Sequence, residues 1–407
     1  MSLIAYSQSF ERFAATLPEA ERGARRAQLD RFLISGFPGR DLEDWKYTDL
    51  SANDERTYTL ANGSEFVSGA ALFMDADRVV YVNGQLSTDH STASQWHAAN
   101  NTTAATGDGI TALNAAFARD GLNLQLGRDE RWLRPVQMLA VGAAADGATM
   151  NHQRHRIVLG ENAEATVLLH FIGAGAERLG THVVDITLAA GARLTLYRLQ
   201  DEDAGASLVT QVNLRQARDS RLNALTIDLG KGLARHGFDV DLAEAGAEAE
   251  VSGLYAPRSG AHVDNHIRVV HTAPHCRSRS HYRGIIDERA KAVFNGKVIV
   301  RPGAQKTDSE QRIANLLLSR KAEINAKPEL EIYADDVKCA HGSTVGQLDE
   351  TALAYLRSRG IPRDTARALL LRAFATEVLD RITWPALRTH VEASLHLPTE
   401  MPEVIET

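Results

Sequence analysis

Two cysteines in 407 residues are too few for a disulfide framework, and too few for one chain to hold a four-thiolate metal cluster. Aromatic residues make up only 6% of the chain, so large rings do not fill its core. The abundant Ala and Gly suit closely stacked backbones instead. No apolar run approaches the roughly 20 residues of a membrane helix. There is no excess of positive charge either: the formal net charge is −7, which excludes the basic field of a general nucleic-acid binder. MSLIAYSQSFERF lacks an apolar signal core, so the expectation is a cytoplasmic chain in a reducing compartment. A phosphate loop of the form G-x-x-x-x-G-K-[ST] is missing, so the chain should not hydrolyse ATP itself. A G-x-S-x-G nucleophile elbow is missing as well.

What is present falls into three regions, 1–75, 76–345 and 346–407. The first reads as helical. Pro18 opens EAERGARRAQLDRFLIS with Glu19 and Glu21 in its first turn, Leu29, Phe32 and Leu33 form an apolar stripe, and Gly36 is the stop. GFPGRDLEDWKYTDL, residues 36–50, follows. Asn83-Gly84 predicts a hairpin, ITALNAAFARDG a helix ending at Gly121, and SQWHAANNTTAATGDG a polar loop.

From about residue 154 short β-rich runs succeed one another without helical stretches between them. VLGENAEATV, TLAAGARLTL, ARDSRLNALTI and LAEAGAEAEV align on Ala163, Ala192, Ser220 and Ala247, in steps of 29, 28 and 27 residues. A small turn residue followed by an alternating strand at that interval predicts a mainly β, parallel β-solenoid flanked by helical regions. The competing architecture is an antiparallel sandwich with coincidental turns.

After Gly346 the period becomes helical again. Asp349 is placed to cap ETALAYLRSR, with Leu353 and Leu356 on one face, and Pro362 opens RDTARALLLRAFATEVLDRI. There Ala366, Leu370, Ala373, Phe374 and Val378 form one apolar face, and Leu369, Leu371 and Leu379 a second. Two apolar faces leave open whether the helices only cap their own solenoid or also receive a partner.

Three places could carry chemistry. In HTAPHCRSRSHYRG, alternation sets Cys276, Ser278, Ser280 and Tyr282 against Arg277, Arg279, His281 and Arg283. His271 and His275 are about 13 Å apart in a continuous strand, too far to chelate one ion. In YADDVKCAHG, Cys339 and His341 project from one strand face at about 7 Å. A thiolate and an imidazole suit zinc or iron. They are either a buried Cys beside a structural His, or half of a site that another chain completes. Asp335 and Asp336 resemble the acidic pairs of polysaccharide-cleaving β-solenoids, but such carboxylates must flank one glycosidic bond, and adjacent strand residues point apart.

The run from RGIIDERAKAVFNGKVIVRPGAQKTDSEQRIANLLLSRKAEINAKPELEIYADDVKCAHG through RSRGIP, with GFPGRDLEDWKYTDL near the N-terminus, resembles the SufB/SufD family of iron–sulfur cluster assembly scaffolds. It is closer to the SufD branch. The resemblance runs from about residue 30 to residue 382. It implies a right-handed parallel β-helix with helical ends, pairing with SufB through the solenoid end and docking the ATPase SufC through the C-terminal helices, here Leu353, Leu356, Leu370 and Phe374. It also implies a cluster formed transiently at the SufB interface, with His341 and Cys339 as metal-contacting residues, sulfur supplied by a cysteine desulfurase and its relay protein, and ATP bound by SufC alone. Isolated family members can pair with themselves. Where SufB carries its sulfur-accepting cysteine, this chain reads Arg312-Ile313-Ala314-Asn315, so it is not expected to accept persulfide. The expected function is that of a non-catalytic scaffold subunit. The alternatives are a stand-alone polysaccharide enzyme and a purely structural adaptor.

Overall fold

The computed structural model describes residues 2–61, 72–99, 107–143, 147–175 and 177–395. Helices α1 (Ser2–Ala14), α2 (Glu19–Ser35) and α3 (Gly109–Phe117) precede most of the strands, and α4 (Glu350–Ser358), α5 (Arg363–Leu379) and α6 (Pro385–Ser394) follow them. The strands are β1 (Thr59–Leu60), β2 (Asp77–Val82), β3 (Gln85–Leu86), β4 (His97–Ala99), β5 (Asp120–Leu126), β6 (Val136–Gly142), β7 (Thr149–Leu159), β8 (Glu164–Gly173), β9 (Arg178–Leu188), β10 (Arg193–Glu202), β11 (Ala206–Gln216), β12 (Arg221–Asp228), β13 (Leu233–Leu242), β14 (Glu248–Tyr255), β15 (His262–His271), β16 (Arg277–Ile286), β17 (Lys291–Val300), β18 (Asp308–Leu317), β19 (Glu323–Ile332) and β20 (Lys338–Gly346).

They form two sheets. One runs β19-β17-β15-β13-β11-β9-β7-β5-β4, with β1 beside β7, and the other β20-β18-β16-β14-β12-β10-β8-β6-β2-β3. From β5 and β6 onward every pairing is parallel, so each coil lays one strand in each sheet. The parallel β-solenoid expected from the repeat is what forms.

The small-residue column explains the period. Ala163, Ala192, Ser220 and Ala247 each immediately precede a strand of the second sheet and are fully buried. Their carbonyls accept from the next coil: Arg193 N–H on Ala163 at 2.8 Å, Arg221 on Ala192 at 2.8 Å, Glu248 on Ser220 at 2.9 Å and Arg277 on Ala247 at 3.1 Å. Cys276 and Thr307 continue the column, bonded to Asp308 and Lys338. The first cysteine therefore occupies a seat that only a small, buried side chain fits. As alternation predicted, Ser278, Ser280 and Tyr282 are buried beside it while Arg277 is exposed.

Inside the bore, Ile157, Ile186, Leu214, Val240, Val269 and Val298 stack in register as one apolar column. A dry column of this kind contributes about 25 cal/mol per Å² removed from water. Towards the C-terminal end the second sheet becomes polar inside, through Ser278, Ser280, Ser309 and Gln311, all buried.

Outside the solenoid, α5 and α6 cover the second sheet. Leu168, Tyr197, Leu199, Leu225, Ile227, Leu254 and Ile285 meet Leu371, Ala375, Val378, Leu379, Leu387 and Val391. Trp384 Nε1–H donates to Asp75 at 2.8 Å, and the Thr383 N–H donates to the Tyr197 hydroxyl at 3.0 Å. The solenoid-facing stripe of α5 is thus Ala366, Leu371, Ala375, Val378 and Leu379, drawn from both faces inferred from the sequence. Leu370 and Phe374 lie at its margin, half-buried.

Several local expectations hold. Asn83 and Gly84 both take positive φ in the β2–β3 turn, Pro18 and Gly36 bound α2, and the Asp349 carboxylate accepts from the N–H groups of Thr351 and Ala352. One is corrected: α3 ends at Phe117, and Gly121 lies within β5, where a Cβ would meet the Arg154 carbonyl at 1.6 Å. Gly121 serves close strand packing rather than a helix stop. The polar loop is also corrected in part, since Ser94–Trp96 is a 3₁₀ turn and His97–Ala99 is β4; its residues 100–106 lie outside the described residues.

Candidate functional site

The last coil is where Cys339 and His341 sit, and its two strands differ in chemistry. β20 pairs with β18 only, so its far edge presents backbone N–H and C=O groups to no strand among the described residues. From Cys339 to Gly346 it carries no formal charge apart from what His341 can acquire. β19, the free edge of the other sheet, carries Glu323, Lys327, Glu329 and Glu331 and is interrupted by Pro328. Charges and proline are the devices that keep a strand edge from pairing with another chain. One edge of the coil is protected in this way and the other is open.

Register places Cys339 over Ser309 and His341 over Gln311. Since Ser309 and Gln311 face the bore, Cys339 and His341 face its mouth. Cys339 is half-buried against the core, whereas His341 is exposed because no further coil covers it. Partial burial pushes the Cys339 thiol up, offset in part by the Ser309 backbone N–H. Beneath the pair runs a buried polar column. The Thr307 hydroxyl donates to the Ala304 carbonyl at 2.9 Å and faces His271 Nδ1 at 3.4 Å, His271 Nε2 meets Ser278 Oγ at 2.8 Å, and Ser278 Oγ meets Ser309 Oγ at 2.8 Å. Burial lowers the His271 ring to about 4, so it is a neutral hydrogen-bonding group in this column.

Among the described residues no group of three or more His, Cys, Asp or Glu side chains converges as a metal site. His275 occupies a turn with positive φ while His271 is bonded within the bore, so those two do not form a site. Asp335 and Asp336 are exposed in the turn before β20, and Asp336 is paired with Lys306. In the run Arg312-Ile313-Ala314-Asn315, Arg312 pairs with Glu310, Ile313 faces the core, and Asn315 accepts from the Tyr255 hydroxyl at 2.5 Å.

The C-terminal helices place the four expected docking residues unevenly. Leu353 is buried, 4% exposed, and so offers no surface to a partner. Leu356, Leu370 and Phe374 are half-buried, with Arg283 over the Phe374 ring at 5.2 Å. Tyr355, which lies outside the apolar stripe of Leu353 and Leu356, is the prominent exposed side chain of α4. Ile332, Tyr333 and Val345 stand exposed on or beside the last coil. Ile332 and Val345 lie in register with the buried Val300 and Asn315, and only the end of the coil stack leaves them uncovered.

Comparison with known proteins agrees with this geometry. Residues 141–374 match the SufBD core domain of the SUF system for FeS cluster assembly. The chain is 32% identical over 404 residues to the iron–sulfur cluster assembly protein SufD of Escherichia coli, covering 93% of this chain and 94% of the relative. It is 30% identical over 388 residues to an iron–sulfur cluster assembly SufBD family protein of Synechocystis, covering 86% and 85%. A SufBD family protein of Mycobacterium tuberculosis is 28% identical over 388 residues, covering 90% of each.

Proposed function

The chain belongs to the SufBD family of iron–sulfur cluster assembly proteins, and on that premise we propose that it is a non-catalytic scaffold subunit whose last coil is completed by a SufB-type solenoid. The observation that carries this reading is the open β20 edge, with Cys339 and His341 on its bore-facing side. An edge strand whose last eight residues, Cys339 to Gly346, carry no fixed charge is a template for one more strand. A partner strand added there brings its own ligands up to the mouth of the bore. The cluster is cargo, so an incomplete ligand set suits it: two donors from this chain hold iron only while the partner supplies the remainder. His341 is the exposed donor. Cys339, half-buried and held as a thiol, is the second.

The helix pair connects this site to an ATPase. Three residues separate β20 from α4, and the last of them, Asp349, caps the helix. A SufC subunit resting on Tyr355, Leu356, Leu370 and Phe374 can therefore pull on β20 through a short path, while the rest of α5 and α6 stays fixed to the second sheet. This chain carries no nucleotide, and SufC holds the ATP. Soluble assembly in the cytoplasm, with sulfur delivered by a cysteine desulfurase and its relay protein, completes the reading.

The test is reconstitution with SufB and SufC, with and without His341→Ala. The proposal expects an intact complex with less than a third of the wild-type iron and sulfide. Unchanged iron and sulfide content would remove His341 from the mechanism and leave the structural adaptor as the reading.

A further inference from the structure

The segment 36–50, GFPGRDLEDWKYTDL, is unexplained by the site above, yet it is fastened to the solenoid at three levels. The Thr48 hydroxyl donates to Asp264 Oδ2 at 2.5 Å and, its proton spent, accepts from the His262 ring N–H at 2.8 Å. Arg235, itself paired with the buried Asp264, lies over the Trp45 ring at 4.0 Å. Trp45 Nε1–H donates at 2.7 Å to Asp108, the N-cap of α3. These contacts fix the segment on β13 and β15. Its tip then reaches farther along the sheet, to the last coil, where Lys327 of β19 donates to Glu43 at 3.3 Å.

The exposed apolar side chains point to why it reaches there. Nine large hydrophobic residues stand exposed among the described residues: Ile34, Leu42, Tyr47, Met74, Leu133, Ile332, Tyr333, Val345 and Tyr355. Five of them, Leu42, Tyr47, Ile332, Tyr333 and Val345, belong to this segment or to the last coil and the residue after β19. Leu42 lines the same groove as Lys327 and Glu329 of β19, so the segment brings an exposed apolar side chain up to the last coil, and adjoining exposed apolar residues mark an interaction surface.

We infer that the 36–50 segment is the second half of the partner surface, and that the SufB-type solenoid seated on β20 also packs against Leu42 and Tyr47. The inference rests on the proposed function, since it takes its partner from there. Its own argument is one of edges. Strand addition can occur on β20, but Pro328 and the charges of β19 prevent it on the other sheet. A partner wide enough to cover both sheets therefore meets the β19 side through side chains, and the rigidly held segment tip supplies them. With Glu43 paired to Lys327 and Arg40 to Asp49, the tip still carries Asp41 and Asp44 against Lys46, so the facing surface of the partner should be basic.

The experiment uses the full chain and a purified SufB chain, with affinity measured by titration calorimetry for wild type, Leu42→Lys, Tyr47→Ser and Val345→Lys. All three positions are exposed, and thermal melts monitored by circular dichroism check that each variant is folded. The inference expects at least tenfold weaker binding for Leu42→Lys and for Tyr47→Ser, along with loss of binding for Val345→Lys. If Val345→Lys abolishes binding while both segment variants stay within twofold of wild type, the segment is not part of the surface and the proposed function stands. If Val345→Lys also binds normally, the partner reading itself fails and takes the inference with it. Tight self-association with no affinity for SufB overturns both.

Discussion

His271 and Ser278 lie seven residues apart, on opposite sheets of the solenoid, and share a 2.8 Å hydrogen bond inside the bore. Ser278 passes the contact on to Ser309, which lies directly under Cys339. The mouth of the bore therefore rests on a polar column rather than on a continuation of the apolar one.

Breaking that column should cost stability in an order set by what is left unpaired. His271→Leu removes one partner and leaves the buried Ser278 hydroxyl short of an acceptor, a loss of about 1–3 kcal/mol. In the His271→Leu, Ser278→Ala double variant the orphan disappears, so the two losses should not add. Urea denaturation of the four proteins in the cycle checks this.

Acid should destabilise the fold well above the carboxylate range. Burial holds His152, His155 and His170 down to about 3 and His271 to about 4, and lowers His182 and His236 well below the ordinary value. These rings stay neutral when folded but protonate near 6.5 when unfolded, so the unfolded chain binds more protons as pH falls. The stabilisation from neutral burial is complete above about pH 6.5. Below that each ring costs about 1.4 kcal/mol per pH unit, down to its own folded value. Urea midpoints at pH 7.5, 6, 5 and 4 should fall at every step, and a flat profile to pH 5 contradicts the burial described here.

Gly121→Ala is expected to be severe, because Gly121 is buried within β5. Its added methyl meets the Arg154 carbonyl at 1.6 Å, so β5 and β7 must separate, at a cost of about 3 kcal/mol or more. Gly260→Ala is the comparison. Its methyl meets nothing within 4 Å, but φ is +83°, so it pays backbone strain alone, on the order of 1 kcal/mol. Thermal melts separate the two.

Asp349→Ala should loosen α4 without unfolding the solenoid. The carboxylate accepts from Thr351 N–H at 2.8 Å and Ala352 N–H at 3.1 Å, and losing such a cap costs about 1 kcal/mol. Faster amide exchange confined to Glu350–Ser358 is the expected result.

The solenoid was legible because its coil length is written in single residues: Ala163, Ala192, Ser220 and Ala247 recur where each coil closes, and only small side chains fit a column stacked at strand spacing. The presence of two sheets was less legible, because both strands of a coil alternate in the same way. Which side of α5 packs on the solenoid stayed open because Leu370 and Leu371 are equally apolar, and only the outward Tyr197, Leu199, Leu225 and Ile227 of the second sheet decide which one is covered. Cys339 and His341 could be paired by spacing, but the openness of β20 follows from the absence of a further coil. The role of residues 36–50 depends on contacts such as Thr48 with Asp264, 216 residues apart, which no local pattern records.

Amide hydrogen exchange across Lys338–Gly346, measured on the chain alone and after saturation with SufB, tests most directly whether a second polypeptide completes the last coil. Strand addition predicts at least tenfold slower exchange at the outward-facing amides of β20, with β19 amides little changed. A stable complex in which the β20 amides exchange as fast as in the free chain contradicts it.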